Sequence, residues 1–214
     1  KFPVDSISTD RSNGTIPASG SVSFYLKLYN AETSKTVPEN YTLTVKPVSQ
    51  SWQEGVGLDM ESYKDLTLGG EGSNWMSASD SLYWKDSLDT LLAGGSYHTY
   101  SGGSNKQVDT PIYIFNQTLA DGTEDVEIDI TPWVEQWIAG TYSNYGIGIM
   151  LTSSQEASGA IDYLAGKVSG RADDDGLIQN PSGSTTSYYI KRFFGRKSQY
   201  FFKRPYIEAR WDDT

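Results

Sequence analysis

The sequence predicts an all-β protein: an antiparallel β-sandwich of the jelly-roll kind with one short α-helix and long loops. Three observations support this class. Several short segments alternate apolar and polar residues, a single segment has helical spacing, and stretches rich in Gly, Ser and Asp separate them. We find no internal repeat and no convincing linker. We therefore expect a lead-in arm over residues 1–20 and one domain over residues 21–214.

The predicted strands follow from alternation with a period of two. The clearest is 21–30, in which the even-numbered residues from Val22 to Leu28 are apolar and share one face. The segment 41–46 repeats the pattern after the turn around Pro38. Five further strands are expected at 111–115, 126–130, 146–152, 187–195 and 206–211.

One helix is predicted directly after Thr131. Thr131 is suited to cap it, Pro132 fits the first helical position and Gly140 lies just past its end. Its apolar residues recur at helical spacing on one face: Trp133, Val134, Trp137 and Ile138. We expect this face to pack the helix across an end or edge of the sandwich.

The composition excludes several kinds of function. The absence of Cys excludes disulfide scaffolds, thiolate zinc sites and cysteine nucleophiles. The 17 Lys and Arg residues against 27 Asp and Glu residues give a net charge of −10, which a phosphate backbone would repel. No stretch approaches the roughly 18 apolar residues of a membrane span. We therefore expect neither nucleic acid nor a membrane as a partner.

Catalytic motifs are weak. His98 is the only histidine, and no Gly-x-Ser-x-Gly elbow is present to complete a serine triad. The nearest approach to a phosphate loop, Gly159 to Val168, has the wrong spacing and lacks the hydroxyl that would hold magnesium. Glu54, Asp59 and Glu61 are a weak candidate for a glycosidase pair, which only geometry identifies. We expect that the chain is not an enzyme and uses no cofactor.

One acidic loop raises the question of a metal. In the run Asp173-Asp174-Asp175-Gly176, the carboxylates of Asp173 and Asp175 are of the type that calcium prefers. The full calcium-loop pattern fails, because Leu177 stands where an oxygen ligand is needed. We favour a solvated acidic loop, with calcium as the alternative.

The long segment from Ser49 to Asp109 is dominated by Gly, Ser and Asp and contains three tryptophans: Trp52, Trp75 and Trp84. Loops of such length tend to be functional. Exposed indole rings would offer stacking platforms for a sugar, whereas buried ones would anchor the loops. The sequence leaves both roles open.

The tail from Lys191 to Arg210 is the only strongly basic region, and aromatic residues interleave with its charges. Such interleaving occurs in nucleic-acid binding. Strand alternation and the net charge favour instead internal salt bridges or a basic interface to an acidic partner subunit. The residues of this predicted assembly surface are Arg192, Arg196, Lys197, Lys203 and Arg204.

Five motifs, in this order, resemble those of DNRLRE-type modules, a family similar to carbohydrate-binding jelly rolls. They are Ser51 to Gly55, Asp129 to Gly140, Asn144 to Ile149, Phe193 to Ser198 and Arg204 to Ala209. The resemblance spans most of the chain from Ser21 onward and implies a β-sandwich. The opening motif of that family is missing, so we carry over the fold and no ligand residue.

A second resemblance is to structural proteins that recur in marine tailed phages. It rests on the run Tyr200 to Asp212, on Gly57 to Tyr63 and on Asn74 to Met76. The first of these reads Tyr-Phe-Phe-Lys-Arg-Pro-Tyr-Ile-Glu-Ala-Arg-Trp-Asp. The resemblance implies a component of the virion.

We therefore expect a non-enzymatic structural protein of a tailed-phage virion, as a capsid decoration, neck or tail component. It would form homo-oligomers and dock on other virion proteins, with residues 1–20 as a candidate docking arm. The alternative is a carbohydrate-binding module, secreted or on a phage fibre, that stacks a glycan on Trp52, Trp75 or Trp84.

Overall fold

The computed structural model describes residues 2–54, 72–74, 77–79, 82–92, 94–98, 113–152, 161–162, 167–168, 171–172, 177–178 and 191–212. The chain divides into two compact units. The first consists of Lys1–Lys46, Ile112–Met150 and Tyr188–Thr214, and the second of Pro47–Pro111 and Leu151–Ser187. The expectation of a single domain over 21–214 stays a prediction.

Among the residues that the structure describes, the first unit has two helices, six strands and one 3₁₀ turn. The helices are α1 (Asp5–Ser12) and α2 (Thr131–Ile138). The strands are β1 (Ser23–Leu28), β2 (Tyr41–Pro47), β5 (Phe115–Leu119), β6 (Val126–Asp129), β7 (Ile147–Leu151) and β12 (Tyr206–Arg210). The 3₁₀ turn is Phe201–Lys203. Neither α-helix is long and apolar enough to cross a membrane, and the same holds for the rest of the described residues.

The second unit contains short strands. They are β3 (Ser77–Ser79), β4 (Leu82–Tyr83), β8 (Ile161–Asp162), β9 (Lys167–Val168), β10 (Arg171–Ala172) and β11 (Leu177–Ile178). They pair into three antiparallel ribbons, β3 with β4, β8 with β9 and β10 with β11. A further bridge joins Val48 to Tyr97.

The first unit contains two three-stranded sheets, with strand orders β12-β1-β6 and β5-β2-β7. In the first sheet β1 runs antiparallel to both neighbours, so that Leu26 lies opposite Ile207 on one side and Ile128 on the other. The chain is thus mostly antiparallel β-structure with few helices, and the predicted all-β class is confirmed.

Strand β1 has the burial pattern that the alternation of apolar and polar residues predicts. Its even-numbered residues are buried, with Phe24 0% exposed, while the residues between them are half-buried. The strand is shorter than the predicted 21–30, because Asn30 leaves the ladder and forms a separate bridge with Phe193. That bridge places the tail of the chain beside the end of β1.

Helix α2 buries the predicted face, with Trp133, Val134 and Trp137 all buried. Its N-terminus differs from the prediction. The cap position is Ile130, and Thr131 does not cap the helix, because its Oγ1 accepts a hydrogen bond from the buried Phe24 N–H at 2.7 Å. At the other end Gly140 has a φ of +70°, a conformation that glycine adopts without strain.

Residues 1–20, predicted as an arm or lead-in loop, contain α1 and are held against α2. The Arg11 guanidinium donates two hydrogen bonds to the Glu135 carboxylate, both at 2.8 Å. The Asn144 side chain donates to the Phe2 carbonyl at 2.7 Å, and Val4 is buried. A docking role for this segment toward another protein stays a prediction.

Candidate functional site

In the first unit, Lys191 attaches the basic tail to the residues just after β1 and to the loop between β5 and β6. Lys191 Nζ donates to three oxygens, Asn30 Oδ1 at 2.8 Å, the Gly122 carbonyl at 2.9 Å and the Glu124 carbonyl at 2.8 Å. Desolvation by burial lowers the pKa of Lys191, and the charges of Glu124 and Asp125 oppose that effect. Because all three donors of the ammonium group are used, its position is well determined.

Backbone hydrogen bonds continue this attachment beyond Lys191. The Ala31 amide donates to the Arg192 carbonyl at 2.9 Å, and the Phe194 amide donates to the Tyr29 carbonyl at 3.0 Å. The predicted strand 187–195 is therefore reduced, within the described residues 191–195, to the single bridge at Phe193. After it the chain turns back through Gly195 and Ser198, where the Ser198 amide donates to the Gly195 carbonyl at 3.0 Å.

The 3₁₀ turn then presents aromatic side chains to solvent. Phe201 is 67% exposed, Phe202 is 85% exposed and the preceding Tyr200 is 54% exposed. The rings of Phe201 and Phe202 contact each other edge-on, with centroids 5.5 Å apart. A turn of three residues directs consecutive side chains about 120° apart, so one neighbouring surface cannot cover them all. We call Tyr200, Phe201 and Phe202 the aromatic turn.

Two cations, Lys203 and Arg204, lie close to aromatic rings in and beside the aromatic turn. Lys203 Nζ lies 5.0 Å from the ring centre of Phe194 and 6.0 Å from that of Tyr200. The Arg204 guanidinium lies 5.3 Å from the ring centre of Phe201, and its Nε donates to the Ser198 carbonyl at 2.9 Å. Cation–π contacts of this kind hold charge and ring together as one unit.

The five cations predicted as an assembly surface thus lie along one folded segment. Lys203 and Arg204 stack on the aromatic rings, and Arg192 lines the groove described next. Arg196 and Lys197 are exposed on the turn between Gly195 and Ser198. Their contact with another protein stays a prediction.

An open groove of about 800 Å³ lies directly beside the aromatic turn. Its lining includes the carboxylates Glu32 and Asp125, the cations Arg192 and Lys203, and the rings of Phe194 and Tyr200. Asp125 is oriented by the Asn30 amide, which donates to its Oδ1 at 2.7 Å. The groove therefore combines aromatic surface with charges of both signs.

The sequence predicts the cations of this site but predicts neither the groove nor the exposure of the turn. One signal for the exposure was present. Three consecutive aromatic residues, Tyr200 to Phe202, cannot all face one side of a strand, because successive strand residues alternate. The groove had no local signal, since its walls come from segments far apart in the chain.

Two of the tryptophans predicted as sugar platforms, Trp84 and Trp52, differ in how far they are buried. Trp84 is 6% exposed, and its Nε1 donates to the Asn74 carbonyl at 2.7 Å. A ring this buried offers little face to a sugar, which favours the alternative role, the anchoring of a loop; stacking by Trp84 stays a prediction. Trp52 is half-buried, and stacking by it stays a prediction. Trp75 lies outside the described residues.

The remaining candidate residues are those for a metal site and for catalysis. The calcium candidates Asp173 and Asp175 lie outside the described residues. Within the described part of the chain, no group of three His, Cys, Asp or Glu side chains is close enough to hold a metal ion. In the second unit His98 lines a cavity of about 260 Å³ together with Lys85 and Asp86, and its backbone amide donates to the Pro47 carbonyl at 2.9 Å.

Comparison with known proteins finds no counterpart: no protein-family model, no curated protein and no solved structure matches this chain.

Proposed function

We propose that this chain is a non-enzymatic structural protein of a tailed-phage virion, and that it assembles with neighbouring proteins through the aromatic turn and its cations. The single observation that carries the assembly role is the exposure of Phe201 and Phe202, at 67% and 85%, on a turn that hydrogen bonds hold in place. Burial of a Phe side chain is worth about 1.5–3 kcal/mol. A partner that buries these two exposed rings would therefore gain a substantial favourable free energy of association.

The chemistry of the surface supports protein–protein contact. Aromatic residues and Arg are enriched where proteins bind one another, and an apolar patch rimmed by charge is typical of such sites. The whole chain has a net charge of −10, while this segment is basic. A local reversal of charge orients an approaching protein and favours an acidic contact surface.

The phage assignment is supported by the sequence resemblance. The longest run similar to marine tailed-phage structural proteins, Tyr200 to Asp212, contains the whole aromatic turn together with Lys203 and Arg204. The residues that carry the resemblance and the residues that offer the surface therefore coincide. Location in the virion follows as part of the same proposal.

Mass spectrometry of gradient-purified particles from a phage that encodes this sequence tests the proposal. We expect peptides of the chain in a fixed ratio to the other virion proteins. In a phage carrying Phe202→Ala the amount in the particle should fall, whereas Leu88→Ala, which removes an apolar side chain that is 70% exposed in the second unit, should leave it unchanged. A chain that is made during infection and absent from particles would refute the proposal.

A further inference from the structure

We infer that Lys191 and Asn30 join covalently, through an isopeptide bond that forms within one folded chain when the lysine amine displaces ammonia from the asparagine side chain. Lys191 Nζ lies 2.8 Å from Asn30 Oδ1. Since a C=O bond is about 1.23 Å long, the nitrogen is no more than about 4 Å from the carboxamide carbon. That separation is close to the roughly 3–3.5 Å from which a well-oriented pair reacts.

The lysine amine is held in place and partly shielded from water. Its other two hydrogen bonds go to the carbonyls of Gly122 and Glu124, at 2.9 Å and 2.8 Å. The ring of Phe193 lies over it, with Nζ 4.8 Å from the ring centre. Burial lowers the pKa of Lys191, which favours the neutral amine. A desolvated lysine of this kind is an activated nucleophile.

A carboxylate is available for the proton that the ammonium group must lose. Backbone hydrogen bonds, that of Asp121 above all, lower the pKa of Glu124, so this side chain is ionised at neutral pH. Its Oε1 accepts from the amides of Ala120 and Asp121, at 2.6 Å and 2.8 Å. Its Oε2 is shielded from solvent and has no hydrogen-bond partner among the described residues. The charge of Glu124 also acts on Lys191, so we assign Oε2 as the proton acceptor.

The reaction balances without an external reagent. Glu124 takes one proton from the Lys191 ammonium group, and the neutral amine adds to the Asn30 carboxamide carbon. The bond from that carbon to Nδ2 then breaks, and its electron pair leaves with the nitrogen. A second proton from the lysine nitrogen completes the departing ammonia, which takes the first proton back from Glu124 and leaves as ammonium. The chain becomes lighter by one ammonia, about 17 Da.

The bond would close a long loop of the first unit. Asn30 lies just after β1, and Lys191 lies at the start of the basic tail, 161 positions further along the chain. A cross-link between residues so far apart restricts the unfolded chain strongly and thereby stabilises the folded one. The chain has no Cys, so a disulfide cannot supply that restriction. An isopeptide bond at this position can.

The test is the intact mass of the purified chain under denaturing conditions. We expect a mass about 17 Da below that of the amino-acid sequence. After digestion with trypsin we expect peptide 28–35 joined to peptide 172–192, because trypsin does not cleave after an acylated lysine. Tandem mass spectrometry of this product places the bond between Asn30 and Lys191.

Two variants separate the isopeptide bond from closure of Asn30 onto its own backbone, which also releases ammonia. Lys191→Arg keeps the positive charge and removes the nucleophilic amine, and Asn30→Ser removes the carboxamide. Both variants should have the full mass of their sequences. Lys197→Arg, which changes an exposed lysine of the same segment, is the matched control and should keep the loss of ammonia.

Glu124→Gln tests the proton acceptor. Glutamine keeps an oxygen for the amides of Ala120 and Asp121 but cannot take the proton. We expect the bond to form at least about tenfold more slowly, measured as the linked fraction at matched times after cell-free synthesis. A variant that links as fast as the wild type would exclude Glu124 from the reaction.

Two results would overturn the isopeptide bond itself. One is a wild-type chain with the full mass of its sequence, which decides the question even if a variant fails to fold. The other is a loss of ammonia that persists in Lys191→Arg, which would show a ring at Asn30 instead. None of these measurements involves a partner protein, so they leave the proposed assembly role to its own test.

Discussion

Arg11 and Glu135 form a bidentate pair across 124 positions of the chain, with each terminal nitrogen of Arg11 donating to one carboxylate oxygen of Glu135 at 2.8 Å. Both side chains are mostly shielded from water, at 16% and 17% exposure. The hydrogen bond from Arg11 lowers the pKa of Glu135 and the same bond raises that of Arg11. The pair joins the first helix to α2 and so connects the start of the described chain to the core.

Arg11→Met should therefore destabilise the first unit. The change leaves a shielded carboxylate without its strongest partner, which is expected to cost about 1–2 kcal/mol, between the values of exposed and fully buried pairs. Urea unfolding followed by circular dichroism measures the loss. Lys35→Met, which removes an exposed cation, is the control and should change the unfolding free energy little. Equal effects of the two variants would contradict the role of the pair.

Thr131→Val tests the hydrogen bond that takes the place of a helix cap. Thr131 Oγ1 accepts from the amide of Phe24, and valine keeps the shape of the side chain without its acceptor. A buried N–H left without a partner costs about 1–3 kcal/mol. Thr131→Ser keeps the acceptor and should cost less. Thr118→Val, at an exposed hydroxyl on β5, is the second control. A loss of stability in Thr131→Ser as large as in Thr131→Val would point to the methyl group instead.

The pH dependence of stability should reflect Glu127. Hydrogen bonds from Arg210, on β12, and from Lys27, on the neighbouring strand β1, lower the pKa of Glu127 from 4.5 to about 2. Between these values the unfolded chain binds a proton that the folded chain does not, so this stabilisation is complete above pH 4.5 and is lost as the pH falls toward 2. We expect Glu127→Gln to flatten the decline of unfolding free energy in that window.

Glu39→Gln provides the control for that titration, because it removes an exposed carboxylate outside the network. Unfolding free energies measured at several acidic pH values give the slopes for the wild type and both variants. A slope that Glu127→Gln leaves unchanged would show that other carboxylates dominate the acid response.

Lys191→Met should loosen the basic tail. The variant removes the donor of three hydrogen bonds and leaves the Gly122 and Glu124 carbonyls without that partner, at an expected cost of about 1–3 kcal/mol. The local effect is more diagnostic: the Phe194 amide, which donates to the Tyr29 carbonyl, should exchange its hydrogen faster. Lys197→Met, an exposed lysine of the same segment, should leave that exchange unchanged.

The elements that the sequence predicted well are those with a local signal. In β1 the buried even-numbered residues follow directly from alternation, and in α2 the buried Trp133 and Trp137 follow from helical spacing. The end of β1 was less predictable, because Asn30 lies outside the strand and forms an isolated bridge with Phe193. The prediction that Thr131 caps α2 is wrong for the same reason, because a local rule cannot anticipate the amide of Phe24, 107 positions away.

The candidate site also has parts that a local sequence signal predicts and parts that it does not. Its cations and aromatic residues are neighbours in the chain, so composition alone marked the segment from Lys191 to Arg210 as basic and aromatic. Whether a ring in that segment is buried or exposed depends on the direction of a turn and on what lies opposite it. Phe202 is exposed because hydrogen bonds at Lys191, Phe194 and Arg204 fix the path of the backbone around it.

The sequence by itself determined the all-β class, the buried faces of β1 and α2 and the identity of the basic segment, because periodicity and composition are properties of neighbouring residues. Only the tertiary structure decided that Asn30 and Lys191, 161 positions apart, meet, and that a groove lined by carboxylates and cations opens beside the aromatic turn. Contacts of that kind are selected by the packing of distant strands, for which no short stretch of sequence carries a signal.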